Sequence, residues 1–152
     1  MTATAAAGSY SVTRVVGDLV YTSGMTPRRD GSMVATGTLG AGIPDEFGRQ
    51  LGALATSRAL DATQESLMQG ELLLEVVSLT VFIAAHANFT RHSHIADAAS
   101  DVVSERLPWA PLPVRATVGV TSLPAGAPVE VQLIAVKARN DIATDHRPCL
   151  AQ

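Results

Sequence analysis

The run from Pro113 to Ala138 limits the folds open to this chain more than any other stretch. Val114, Ala116, Val118 and Val120 alternate with Arg115, Thr117, Gly119 and Thr121, the period-two pattern of a half-buried strand. Leu123-Pro124-Ala125-Gly126-Ala127-Pro128 supplies turn residues. Val129 to Val136 follows, apolar except at Glu130 and Gln132, as a central strand would be. The stretch reads as two strands joined by a turn, with Arg115 on the face opposite the valines and Glu130 between Val129 and Val131. A charge in such a setting needs a partner or a ligand, because burying it unpaired is costly.

The remaining residues supply what such a pair needs for a core. At 152 residues the chain is expected to be one domain. Only 4% of it is aromatic, so its core must be built from Val, Leu, Ile and Ala. Residues 1–8 are small and polar and are expected to be disordered. Ser9 to Val16 and Leu19 to Thr26 flank Gly17-Asp18 as a hairpin. Arg28-Arg29-Asp30-Gly31 reads as a turn, Met33 to Thr36 as a short edge strand, and Thr38 to Ile43 as a glycine-bearing loop. Pro44-Asp45-Glu46 opens a helix marked by Phe47, Leu51, Leu54 and Ala55, which Gly70 is expected to stop. Leu72 to Ala85 reads as a central strand. Asn88 is the expected cap of a second helix carrying Phe89, Ile95, Ala96, Ala99 and Val103 and ending by Pro108. This order predicts an α+β fold, with helices on one face of a mixed sheet of about five or six strands. The folded domain is expected over residues 9–138, with residues 139–152 as a tail.

Several function classes fit poorly. A formal charge of −3 and scattered arginines leave no basic track for a nucleic acid. Cys149 is alone, so neither an internal disulfide nor a cysteine metal cluster is expected. No apolar run of about 18 residues and no signal-like N-terminus is seen, so a cytoplasmic chain without a membrane partner is expected. His92 and His94 stand two apart on the second helix and do not share a face well. With His86 and His146 elsewhere they read as solvated histidines, not a zinc site.

Tyr10 and the segment Leu19-Val20-Tyr21-Thr22-Ser23-Gly24-Met25-Thr26-Pro27 resemble the N-terminal signature of the RidA (YjgF) family. Pro113-Val114-Arg115-Ala116, Val118, Leu123-Pro124 and Val129-Glu130-Val131 resemble its C-terminal signature. Val77 to Ile83 and the helix containing Gln50 fit the segments between, so the likeness covers about residues 9–138. Gly37 to Gln50 and the segment Gly119 to Pro124 resemble a branch distinct from the founding deaminases. The resemblance implies a chorismate-mutase-like fold and a homotrimer with clefts between subunits. It also implies cofactor-free hydrolysis of enamine and imine carboxylates, such as 2-aminoacrylate and 2-iminobutyrate, to 2-keto acids and ammonia.

By that resemblance Arg115 clamps the substrate carboxylate, which suits its planar fork; the other reading is an ion pair with Glu130 or another acid. Glu130 orients the attacking water or relays a proton, or else forms an interfacial salt bridge. Ser23 and Gly24 offer backbone contacts to the substrate, or only a bulge. Tyr10 lines the cleft or packs on a neighbouring subunit. Thr117 is placed at the substrate where founding members often carry a cysteine, and Gly119 replaces a larger residue; both put a reshaped pocket in view. Two other functions therefore stay open: pathway-specific deamination, hydrolysis or cyclisation of a larger carboxylate, and non-catalytic binding of a small carboxylate.

Overall fold

The computed structural model describes residues 6–140. Two short strands, β1 (Thr13–Val16) and β2 (Leu19–Thr22), form the expected hairpin, with Gly17 at φ +60° in its turn. Two small ladders follow: β3 (Arg28–Arg29) with β4 (Ser32–Met33), then β5 (Thr38–Leu39) with β6 (Gly42–Ile43). The long elements are α1 (Asp45–Glu65), β7 (Glu71–Ala84), α2 (His92–Arg106), β8 (Val114–Val120) and β9 (Val129–Arg139). The architecture is α+β. Five strands make a mixed sheet in the order β1-β2-β9-β7-β8, in which only β7 and β8 run parallel.

β8 and β9 are therefore not neighbours, contrary to the plain two-strand reading: β7 lies between them. The reason lies in α2. A helix joining two strands brings the second back parallel to the first, so β8 takes one side of β7 and β9 takes the other. Val129, Val131, Leu133 and Ala135 of β9 are buried together with Leu79, Val81 and Ile83 of β7. They form one core with Leu51, Ala55 and Ala59 of α1 and Ile95, Ala99 and Val103 of α2. The helices cover one face only. Tyr21, Val114 and Val118 are exposed on the other, where Ser78 and Phe82 of β7 share their rows.

That result orients β8. Arg115 does lie opposite Val114 and Val118, but the arginine faces the helices and the valines face out. Arg115 pairs in register with buried Leu79, and Thr117 with buried Val81. Alternation separates two faces without saying which is covered.

Four boundaries differ from expectation. Helix α1 ends at Glu65, and Gly70, at φ +83°, instead turns the chain into β7. Helix α2 begins at His92 after Arg91, not after Asn88, with Arg91 reaching across to Asp45 at the start of α1. Arg28–Arg29 is the partner strand of Ser32–Met33, so the edge strand expected from Met33 to Thr36 is a tight ladder around Asp30-Gly31. The expected loop Thr38–Ile43 holds a small parallel pair, with Leu39 fully buried. Among the described residues no helix is long and apolar enough to cross a membrane. The tail beyond residue 140 and residues 1–5 lie outside the described residues, as do His146 and Cys149.

Two glycines in α1 make opposite predictions. A Cβ on Gly48 would lie 2.5 Å from Leu39 Cδ1, whereas on Gly52 the nearest atom is Ile95 O at 3.7 Å. Gly52→Ala should stabilise the fold by roughly 0.5–1 kcal/mol, the gain in helix propensity. In Gly48→Ala the same gain is outweighed by overpacking of about 1–3 kcal/mol. Urea midpoints of the two variants should move in opposite directions. Parallel shifts would refute the packing described.

Candidate functional site

The edge strand β8 carries one set of the candidate residues. Its helix-facing residues run Arg115, Thr117, Gly119 under α2. One terminal nitrogen of Arg115 lies 3.0 Å from Asp97 Oδ1 and donates to Ser100 Oγ at 2.8 Å. These residues, with Arg49, His94 and Leu112, line an open groove of about 730 Å³. The Asp97 side chain is 56% exposed, and such surface pairs contribute only about 0–1 kcal/mol. A ligand carboxylate can take its place. Arg49 in the same groove is held by Glu46 at 3.9 Å and Asp101 at 3.5 Å and donates to the His94 carbonyl.

Gly119 is where the sequence reading missed a residue. A Cβ there would fall 2.4 Å from His92 Nε2, so the missing side chain makes room for an imidazole. The His92 ring also meets Phe89 edge-on, with centroids 5.1 Å apart. His92 is thus packed against the helix-facing side of β8, not merely solvated. The signal in the sequence was the gap at Gly119 itself.

The second set sits at the other end of the sheet. Tyr10, Ser23 and Gly24 line a cleft of about 950 Å³ together with Arg28, Arg58 and Asp61. The Ser23 N–H donates to the Val12 carbonyl at 2.8 Å, and Met25 exchanges both backbone hydrogen bonds with Val131. A Cβ on Gly24 would overlap Glu130 Oε1 at 1.7 Å and Cδ at 2.5 Å, so a side chain here would displace that carboxylate. The Glu130 carboxylate therefore rests directly on the Gly24 backbone. Partial burial there pushes its pKa above the ordinary 4.5. Tyr10 is half exposed, and its hydroxyl accepts a hydrogen bond from the Ala7 N–H at 3.2 Å.

Within one chain the two sets do not meet. Met25, Val131, Val81 and Thr117 form one row across the sheet. Three strand spacings therefore separate the Ser23–Gly24 end from β8, about 14 Å. Glu130 is in register with Phe82 and Val118 on the open face, whereas Arg115 is in register with Leu79 on the helix face. Glu130 and Arg115 do not pair; Arg115 finds Asp97 instead. The structure brings Tyr10, Ser23 and Gly24 into one cleft, sets Glu130 against Gly24 from the open face without lining that cleft, and keeps Arg115 and Thr117 apart on β8. Among the described residues no three His, Cys, Asp or Glu side chains converge as a metal site would require.

The raised Glu130 pKa has a measurable sign. The folded chain holds this proton more tightly than the unfolded chain. The group's contribution to stability is therefore best below 4.5 and falls as pH rises through the window from 4.5 to the raised folded value. Asp45 and Glu71 have lowered pKa values, through hydrogen bonds from Arg91 and Lys137 respectively. They act equally in a Glu130 variant and cancel in the difference. The urea midpoint of Glu130→Gln, relative to the wild type, should climb from pH 4.5 upward and then level off. A difference independent of pH would contradict the burial.

Comparison with known proteins shows the family and the fold. The family model described as Endoribonuclease L-PSP matches residues 1–137. "Protein TCP17" of Trypanosoma cruzi is 30% identical over 116 residues, 76% of this chain and 72% of its own. Among solved structures, one from Shewanella oneidensis that carries the provisional name endoribonuclease superposes with a TM-score of 0.82 at 27% identity, covering 90% of each chain. Atu1372 from Agrobacterium tumefaciens, of unknown function, superposes with a TM-score of 0.77 at 24% identity, covering 88% of this chain and 84% of its own. TdcF of E. coli, solved with bound serine, gives 0.63 at 24% identity over 90% and 94% of the two chains. The last two speak to the fold alone. With a family model that matches residues 1–137 and a relative 30% identical over 76% of the chain, the chain belongs to the Endoribonuclease L-PSP family, the YjgF/RidA superfamily.

Proposed function

We propose that this chain is a cofactor-free hydrolase of small imine or enamine carboxylates, releasing a 2-keto acid and ammonia. The observation that carries this reading is the placement of Arg115. It stands on an edge strand, facing an open groove, held among the described residues by a largely exposed aspartate and a serine hydroxyl. A guanidinium so placed can exchange Asp97 for a substrate carboxylate and bind it through two parallel hydrogen bonds.

The rest of the chemistry needs a second chain. The groove at Arg115 and the cleft at Ser23 and Gly24 lie at opposite ends of one sheet, too far apart for one small substrate. A homotrimer in which β8 of one subunit meets the Gly24 end of the next would unite them, and the exposed Tyr21, Val114 and Val118 give such an assembly apolar surface to cover. In that cleft Arg115 fixes the carboxylate, with Thr117 beside it on the same strand. The Ser23–Gly24 corner and Tyr10 hold the amine end. Water adds to the imine carbon, the C–N bond then breaks, and ammonia leaves. Glu130, a carboxylate set against the Gly24 backbone, relays the proton from water to nitrogen. Holding the reactants in line supplies the larger part of such an acceleration. The family's endoribonuclease name fits this chain less well: its net charge is −3, and Arg49, Arg91 and Arg106 are each bound to carboxylates.

Ammonia and keto-acid release from freshly generated 2-iminobutyrate and 2-aminoacrylate tests the proposal. Arg115→Ala should lower kcat/KM roughly 10–100-fold, the worth of charge-assisted hydrogen bonds of about 1.5–3 kcal/mol. Circular dichroism and sedimentation should stay as in the wild type. Asp97→Asn, which releases Arg115 from its ion pair, should lower KM. Equal turnover in wild type and Arg115→Ala would sink the clamp, and no acceleration by either would turn the reading to carboxylate binding without catalysis.

A further inference from the structure

The cleft at Ser23 and Gly24 is lined by three arginines that the proposed chemistry does not use: Arg106, which is paired with Asp61, and Arg28 and Arg58. Arg58 projects from α1, and its Nη1 donates to the Thr26 carbonyl at 2.6 Å. Arg28 opens β3, and its Nε donates to Thr26 Oγ1 at 3.3 Å while Nη1 donates to the Gly31 carbonyl at 2.9 Å. Both side chains are anchored on one residue, Thr26, and both line the cleft.

Among the described residues every acceptor they use is neutral. Arg49, Arg91, Arg106 and Arg115 each have a carboxylate within ion-pair distance. Among the described residues Arg28 and Arg58 have none. Asp30, Asp61 and Glu65 line the same cleft, but Asp61 is engaged by Arg106 at 2.9 Å. Burial, and then the neighbouring Arg28 charge, push the Arg58 pKa down, against weaker support from Asp61 and Tyr10. Two like charges held side by side in a partly buried cleft are unfavourable until an anion joins them. A guanidinium has five N–H donors. With one used on Arg58 and two on Arg28, enough remain to receive both oxygens of a planar carboxylate.

We propose that Arg28 and Arg58 form a second carboxylate subsite, so that the preferred ligand of this chain is a small dicarboxylate. The subsite stands on the geometry of the single chain. The dicarboxylate preference rests also on the reading of Arg115 as the clamp for the first carboxylate. In the reaction proposed above the substrate would then be an imino or enamino diacid and the product a 2-keto diacid.

Calorimetric titration of the intact protein with glutarate, butyrate and inorganic phosphate tests this. Wild type should bind glutarate at least about tenfold more tightly than butyrate, the worth of one charge-assisted contact. Arg58→Gln should remove that advantage and leave butyrate affinity unchanged. Arg28→Gln, in an exposed ladder outside the core, should act in the same direction and serves where Arg58→Gln fails to fold. Equal affinity for the two acids in wild type, an undiminished glutarate advantage in both variants, or phosphate binding without any glutarate preference would each overturn the subsite. Arg115→Ala separates the two readings. If it spares both acids while Arg58→Gln still weakens glutarate, the clamp fails and the subsite stands.

Discussion

The pairing of β7 on both its edges is the constraint from which the rest of this structure follows. Its 14 residues run antiparallel to β9 on one side and parallel to β8 on the other. The parallel partner has to arrive by way of α2, and that crossover lays the helix over the β7–β8 half of the sheet while α1 covers the β9 half. Aromatic side chains are few, so close approach replaces bulk: Gly48, Gly52, Ala55, Ala59, Ala96 and Ala99 let both helices settle onto a layer of valines and leucines. Narrow helix surfaces and a long central strand are one solution to the packing of a core that has almost no aromatic residues.

The same pairing sorts the charges. β8 joins β7 in a register that sets Arg115 beside Leu79, and this points the guanidinium at α2 and Asp97. β9 joins in a register that sets Glu130 beside Phe82, and this points the carboxylate at the uncovered face and at Gly24. Two strands that are close in sequence thus deliver their ionisable residues to opposite sides of one sheet. Each charge is stabilised locally and weakly: a largely exposed ion pair for one, partial burial against a glycine backbone for the other. Neither arrangement looks like a device for stability, since exposed pairs contribute little and a buried lone carboxylate opposes folding at neutral pH.

How far the sequence disclosed this depends on the residue. The central strands, both helices and the hairpin at Gly17 were legible because period-two and helical spacing are local properties. The side of β8 that the helices cover was not legible, because alternation is symmetric between two faces and only the register with β7 breaks the symmetry. The same limit hid the separation of Glu130 from Arg115, which depends on β7 being inserted between their strands. Helix ends were misjudged where a long-range partner decides them: Arg91 reaches Asp45, so α2 starts after Arg91 rather than at Asn88. His92 reads as a solvated histidine from its spacing alone, whereas its packing depends on a glycine 27 positions further on, where the missing Cβ leaves room for its ring.

The two kinds of arginine in this chain point the argument towards the ligand. Arg49, Arg91, Arg106 and Arg115 are each answered by an acid from another element. These pairs tie α1 to α2, or α2 to β8. Among the described residues Arg28 and Arg58 are answered by backbone carbonyls and a hydroxyl, which fix their positions without neutralising their charge. Positioning a cation rigidly while leaving it uncompensated lowers the reorganisation needed when an anion arrives. The chain keeps that arrangement in the cleft shared by Tyr10, Ser23 and Gly24, at the end of the sheet remote from its other candidate clamp.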